Sequence, residues 1–380
     1  MTAQTPAKFN ITKLLLLLNG LAVIAAVIHH AIHWVLTGMF FWADRYKDVV
    51  APDLSQLGSP QYYLIRLMDQ PSTVAVPAFL FVSGYFIAFV ADRNSDKVGW
   101  KYIVTRIKFL IIPYLIWCSV YLVFNFIQGK QIAWYEAVRL IITGGISAPF
   151  YYVILVLQLY IISPLITPLM RKHWRTLLTI AVLIQLPGIY YKYSLFIVQG
   201  YQVPPLAKAL FLEWYLPAYI LWFLLGIFAG MHISLLKGFL EKSRRWLPYA
   251  VFGVMILGII EWDLIRQASD RTWISPQETI LDRVFTFFML LWFFSAQGIE
   301  NWLPARLRSF GIKSYGIYLI HPLVLEIAAR LTYHFAPKLM AYPLLFLMSL
   351  TIVGVGAPIL LMATIERSPA RRFYKLLFGG

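Results

Sequence analysis

The sequence predicts an all-α polytopic membrane protein with about ten transmembrane helices and both termini cytoplasmic. Three observations carry that fold class. Of the 380 residues, 60% are hydrophobic and only 13% are charged. Apolar runs of about 20 residues, enough for a helix to cross a hydrocarbon core of about 30 Å, recur along the whole chain. Lys and Arg concentrate in alternate connecting segments, as the positive-inside rule requires. Lipid satisfies no backbone hydrogen bonds, which excludes open sheets. The runs also lack the short alternating pattern of a porin-type barrel. Residues 1–380 read as one integral-membrane domain with no soluble domain appended.

The candidate spans, in order, are 12–36, 71–91, 109–128, 150–169, 176–195, 213–233, 246–265, 281–299, 311–331 and 341–364. Lys8 and Lys13 precede the first, and no small-residue cleavage site follows it, so it reads as an uncleaved helix. Arg93, Lys97, Lys101, Arg106 and Lys108 lie between the second and third spans. Arg171, Lys172 and Arg175 lie between the fourth and fifth, and Lys237, Lys242, Arg244 and Arg245 between the sixth and seventh. Arg306, Arg308 and Lys313 lead into the ninth, and Arg367, Arg371, Arg372 and Lys375 follow the tenth. With the N-terminus inside, 21 of the 33 basic residues and only 5 of the 17 acidic ones fall on the inner side. The entire formal charge of +16 therefore sits on one face. That asymmetry explains the basic composition without nucleic acid, and anionic membrane lipids are the default partner of such a face. Pro and Gly within spans are tolerated in a membrane, and Trp and Tyr near span ends act as interfacial anchors. The single cysteine, Cys118, has no partner for an internal disulfide.

Three connecting segments stand out. Residues 37–70 carry Asp44, Asp48, Asp53 and Asp69 among aromatics, and residues 190–212 are rich in Tyr and Pro. Both lie on the outer side and suit a carbohydrate, whose rings stack on aromatic faces; they suit interfacial anchoring equally. Residues 129–149 are short enough to lie along the interface or to re-enter it.

The first span holds His29, His30 and His33 in LLLLLNGLAVIAAVIHHAIHWVL. Ionisable side chains inside spans usually face a protein interior or a watery cavity, and imidazole suits proton transfer near neutral pH. Eleven residues separate Asn19 from His30, about 16.5 Å of rise and nearly three whole turns. Both side chains then point to one side of the helix at two depths, with His33 about 40° off the stripe and His29 about 100° away from His30. The structural alternative is that these groups only hydrogen-bond to neighbouring helices. His29 and His33 at i, i+4 admit a metal, but no HExxH motif is present and no metal is expected. Arg106 and Lys108 form a basic pair where the third span begins, with Arg93 closing the second. Arg grips phosphate bidentately and Lys supplies a point charge; plain anchoring is the competing reading. In GIKSYGIYLIHPLV, Ser314, Tyr318 and His321 share a face, and Pro322 frees the Tyr318 carbonyl.

In this order, these segments resemble the acyltransferase-3 family of integral membrane acyltransferases. That family carries an arginine, ten residues and a histidine in its first span. Here His30 matches the histidine, and Asn19 stands where the arginine belongs. PAFLFVSGYF, TRIKFLIIPY, FYYVILVLQLYIISPL, WFLLGIFAG and the ninth-span segment resemble further family strings, over about residues 14–365. The wording of RIKFLIIPY and QLYIISP is nearest the intercellular-adhesin polysaccharide succinyltransferase branch.

The resemblance implies acyl transfer from an acyl-CoA, acetyl-CoA or succinyl-CoA, to a hydroxyl of a cell-envelope glycan, in the cytoplasmic membrane. It implies His30 as base or acyl carrier, with Tyr318 and His321 near the developing oxyanion. Asn19, Arg93, Arg106 and Lys108 are the implied donor-binding residues. Asn lacks the charge of arginine but keeps hydrogen-bonding capacity. The alternatives are a glycan or lipid transporter and a non-catalytic partner of a polysaccharide synthase. The absence of an internal repeat counts against common transporter folds.

Overall fold

Backbone amides in lipid have no water to pair with, so an apolar run closes its own hydrogen bonds as helix. The computed structural model describes residues 11–42, 57–93, 98–198, 202, 215–275, 279–296 and 303–379, and no strand occurs among them. Asp44, Asp48, Asp53 and residues 203–214 of the two long outer segments fall outside the described residues. The helices are α1 (Ile11–Phe40), α2 (Pro60–Asp69), α3 (Ala75–Arg93), α4 (Trp100–Ile127), α5 (Trp134–Thr143), α6 (Tyr151–Leu183), α7 (Leu186–Ile197), α8 (Ile220–Met231), α9 (Ile233–Ser243), α10 (Leu247–Ala268), α11 (Ile280–Ser295), α12 (Ala305–Ile312), α13 (Ser314–Phe335), α14 (Pro343–Arg367) and α15 (Tyr374–Phe378).

Every candidate span overlaps helix. Six described stretches are long and apolar enough to cross a membrane: Ile11–Phe40, Pro60–Ala91, Trp100–Ile127, Ala148–Ile197, Leu247–Ala268 and Pro343–Arg367. α8 and α9, bent by 101° at His232, make a seventh if the pair is one span. Large apolar side chains such as Val123, Leu165, Ile352 and Leu360 are exposed on the outside of the bundle. In water they would form a costly surface; against lipid tails they are solvated. Residues 129–149 contain α5, which buries no residue and exposes Trp134 and Tyr135. An apolar and aromatic helix of that kind suits an interface.

Two close helix crossings hold the lining of the site. A Cβ on Gly226 of α8 would overlap the Phe81 carbonyl of α3, and one on Gly84 of α3 would overlap the Phe223 carbonyl of α8. A Cβ on Gly20 of α1 would likewise overlap the Leu307 carbonyl of α12, and one on Gly311 that of Leu16. Small residues let backbones approach and gain dispersion contacts that lipid cannot outcompete. The glycines of PAFLFVSGYF and WFLLGIFAG thus meet each other.

A buried polar staple joins α2 to α11. Arg66 Nη2 lies 3.0 Å from Asp282 Oδ2, and both side chains are 0% exposed. Gln70 donates to Asp282 Oδ1 at 2.7 Å and accepts from Arg66 Nη1 at 2.5 Å. Thr279, the N-cap of α11, donates to Asp282 Oδ2 at 2.7 Å. In α13, Pro322 interrupts the hydrogen-bond ladder, and the Tyr121 hydroxyl from α4 enters the gap. It accepts from the Leu323 amide at 2.8 Å and lies 3.5 Å from the Leu319 carbonyl.

Candidate active site

The polar stripe of α1 opens onto two cavities at its two depths. The first, about 540 Å³, is lined by His29, His30 and His33 together with Trp34, Tyr121, Tyr151, Lys130 and Glu326. The second, about 370 Å³, is lined by Asn19, Ser83, Arg106, Tyr160, Ser314 and Tyr315. Phe79 and Tyr318 line both, and both are buried. Five helices contribute to both cavities. α1 runs from Asn19 to His30, α3 from Ser83 to Val76, α4 from Arg106 to Asn125, α6 from Tyr160 to Tyr151 and α13 from Tyr315 to Pro322. The two spaces therefore lie at two depths of the same helices, with Phe79 and Tyr318 in the wall of both.

Four imidazoles cluster here, three in the cavity wall and His321 buried beside His30. The His30 ring lies 5.2 Å from His29, 6.3 Å from His33 and 5.4 Å from His321 of α13. His30 makes no hydrogen bond to another described residue, so its nitrogens are open to a ligand. His321 Nδ1 donates to the Ile317 carbonyl at 3.1 Å. That bond assigns the proton to Nδ1 and leaves Nε2 as an acceptor, buried without a hydrogen-bond partner among the described residues. The Tyr318 hydroxyl donates to the Pro149 carbonyl in the turn before α6. Among the described residues, no three His, Cys, Asp or Glu side chains converge to hold a metal ion.

The cation that reaches the second cavity is Arg106. Its Nε donates to the Tyr102 hydroxyl at 3.0 Å, and the guanidinium lies over that ring. Asn19 Oδ1 is buried there with no hydrogen-bond partner among the described residues. Lys108 is exposed and is not in the cavity wall, because two helical positions turn it about 200° from Arg106. Arg93 ends α3, and its side chain falls outside the described ones.

His29 points away from His30 along the helix, as its spacing dictates, yet it lines the same cavity. What it meets there was not read from sequence: its Nδ1 donates to Asp69 Oδ1 at 2.8 Å. The available signal was that Arg66 and Asp69 interrupt an apolar stretch, where charges are usually paired or functional. Tyr121 within α4, Lys130 just beyond its end and Glu326 within α13 were likewise missed, since no local motif marks any of them.

The acyltransferase domain of the acyltransferase-3 family matches residues 15–362. The chain is also similar to probable poly-beta-1,6-N-acetyl-D-glucosamine export proteins of Staphylococcus aureus strains MRSA252, MSSA476 and N315. Identity is 23% over 308 residues, covering 78% of this chain and 81% of each of theirs. These relatives agree with the adhesin-polysaccharide branch that RIKFLIIPY and QLYIISP resemble. No solved structure matches the chain. With most of its length matched and its long apolar helices in place, the chain is an integral membrane protein of the acyltransferase-3 family.

Proposed function

We propose that the protein transfers an acetyl or succinyl group from acyl-CoA to a hydroxyl of an exopolysaccharide, across the cytoplasmic membrane. The observation that carries this reading is the pair of opposed cavities lined by the same five helices, histidines in one and Arg106 with Asn19 in the other. The basic end of the bundle faces the cytoplasm by the charge rule. CoA stays at that end, its phosphates near Arg106 and its thioester arm running past the unpaired Asn19 carbonyl. A sugar occupies the histidine cavity, where Trp34, Tyr151 and Tyr219 offer stacking faces.

His30 takes the proton of the sugar hydroxyl as its oxygen attacks the thioester carbon. The C–S bond breaks, the electron pair goes to sulfur, and the proton ends on the CoA thiol. A direct transfer and an acyl-histidine intermediate satisfy the same balance. For Tyr318 to donate to the developing oxyanion it must release the Pro149 carbonyl, and for His321 to do so it must gain a proton on Nε2. By the relatives' name, a β-1,6-linked N-acetylglucosamine polymer is the first acceptor to try.

A second reading, export of such a polymer or non-catalytic service to its synthase, is favoured by that same name and by Asn19 replacing the family arginine. Purified protein in proteoliposomes, given radiolabelled acyl-CoA and the polymer, separates the two. An enzyme releases free CoA and labels the polymer; an exporter moves polymer without releasing CoA.

A further inference from the structure

The acyl-transfer reading uses His30 and leaves His29 and Asp69 idle, although they form a buried polar contact directly behind the wall of the histidine cavity, which His29 lines. His29 Nδ1 and Asp69 Oδ1 are 2.8 Å apart, with side chains 10% and 0% exposed. Ser72 Oγ lies 2.5 Å from the same carboxylate oxygen and 3.3 Å from His29 Nδ1. Asp69 Oδ2 is buried with no hydrogen-bond partner among the described residues. The backbone at Asp69 is pinned from both sides, since Arg66 in the preceding turn and Gln70, the next residue, both bind Asp282 of α11. The His29 ring stands edge-on to His33 at 4.8 Å and to His30 at 5.2 Å.

A buried carboxylate that keeps one oxygen unpaired is costly unless its charge is used. An imidazole whose Nδ1–H is held by a carboxylate has a fixed tautomer and orientation, with Nε2 as its acceptor. Packing alone asks for neither. We infer that Asp69 is a positioning residue for proton transfer, holding His29 with its proton on Nδ1 so that His29, His30 and His33 share the proton taken from the acceptor hydroxyl. This rests on the acyl-transfer reading above. Asp69 supplies the counter-charge while the proton resides on the imidazoles. Ser72 and the Arg66–Asp282 staple keep the carboxylate in register. The proton leaves with the CoA sulfur once the C–S bond has broken, so the step needs no further reactant.

The test compares wild type with Asp69→Asn and Ser72→Ala, measuring CoA release per acceptor modified, KM for acyl-CoA and thermal midpoint in detergent. Asp69→Asn is nearly isosteric and removes the charge. Its kcat falls about 100-fold or more, with KM for acyl-CoA within about threefold and the midpoint within a few degrees. Ser72→Ala keeps the charge and loosens it, lowering kcat about tenfold. A double His29→Gln/Asp69→Asn variant is no slower than His29→Gln alone, because the pair acts as a unit. An Asp69→Asn protein with kcat near wild type overturns the inference and leaves acyl transfer standing. A parallel loss of midpoint and acyl-CoA binding with kcat intact in the folded fraction also overturns it. Should Asp69→Asn fail to purify, unchanged kcat in Ser72→Ala decides against it. Wild type that releases no CoA with any acceptor overturns both readings together.

Discussion

The buried Arg66–Asp282 pair invites a double-mutant cycle. Both side chains are fully buried, 3.0 Å apart, with Gln70 and Thr279 filling the remaining sites on the carboxylate. Arg66→Met keeps much of the side-chain volume but leaves the Asp282 charge with neutral donors only. Breaking a buried pair from one side costs about 3–5 kcal/mol, because the remaining charge is uncompensated. Asp282→Leu strands the guanidinium, whose remaining contacts are Gln70 at 2.5 Å and the Trp262 ring at 5.0 Å, and costs a similar amount. Removing both charges takes away the desolvation penalty along with the attraction, so the double variant recovers most of the loss. The expected coupling energy is about 3 kcal/mol or more, well beyond the roughly 0.5 kcal/mol scatter of independent sites. The assay is reversible unfolding of purified protein in mixed micelles, as denaturing detergent replaces mild detergent, for wild type, both single variants and the double. A double variant whose loss equals the sum of the single losses would refute the reasoning and show that the two groups are stabilised by separate partners.

Three further outcomes follow from the site. His30→Ala abolishes CoA release while the protein still inserts and purifies normally, checked by labelled-acyl transfer and size-exclusion profile. Arg106→Ala raises KM for acyl-CoA several-fold and makes it less salt-dependent, whereas Lys108→Ala changes little, since only Arg106 reaches the cavity wall. Tyr318→Ala opens the partition, so acyl-CoA hydrolysis without acceptor rises relative to transfer, read as CoA released per polymer labelled.

Helix positions and the depth of the polar stripe were legible in the sequence because both depend on local periodicity. Asn19 and His30 share a face eleven residues apart, and the structure turns those two depths into two cavities. The bundle's contacts were not legible. Single-helix geometry gives the direction of His29 but not the carboxylate it meets, which lies forty residues away. Arg66 and Asp282 are 216 residues apart, and no local pattern pairs them. The basic pair at 106 and 108 looked like one feature; helical phase divides it. Tyr318 and His321 share a face as their spacing requires, yet their proton donors are engaged by Pro149 and Ile317. The fifty residues from Ala148 to Ile197, bent at His173 and broken by a turn at 184–185, run together where hydropathy separates two spans.

The shared wall of the two cavities has an electrical consequence. On the acyl-transfer reading the two cavities are entered from opposite faces, and the membrane potential then falls mainly across the layer of Phe79 and Tyr318 that lines both. A potential of 100 mV is worth about 2.3 kcal/mol for each elementary charge that crosses it. An acetyl group crosses as a neutral body and is indifferent to the field. A succinyl group carries its own carboxylate, and an interior-negative potential drives that charge outward, in the direction of transfer. Vesicles energised with a potassium gradient and valinomycin are therefore expected to accelerate succinyl transfer and leave acetyl transfer unchanged. In an organism that uses the charged group, decoration of the polysaccharide would be drawn partly from the energy stored across its membrane.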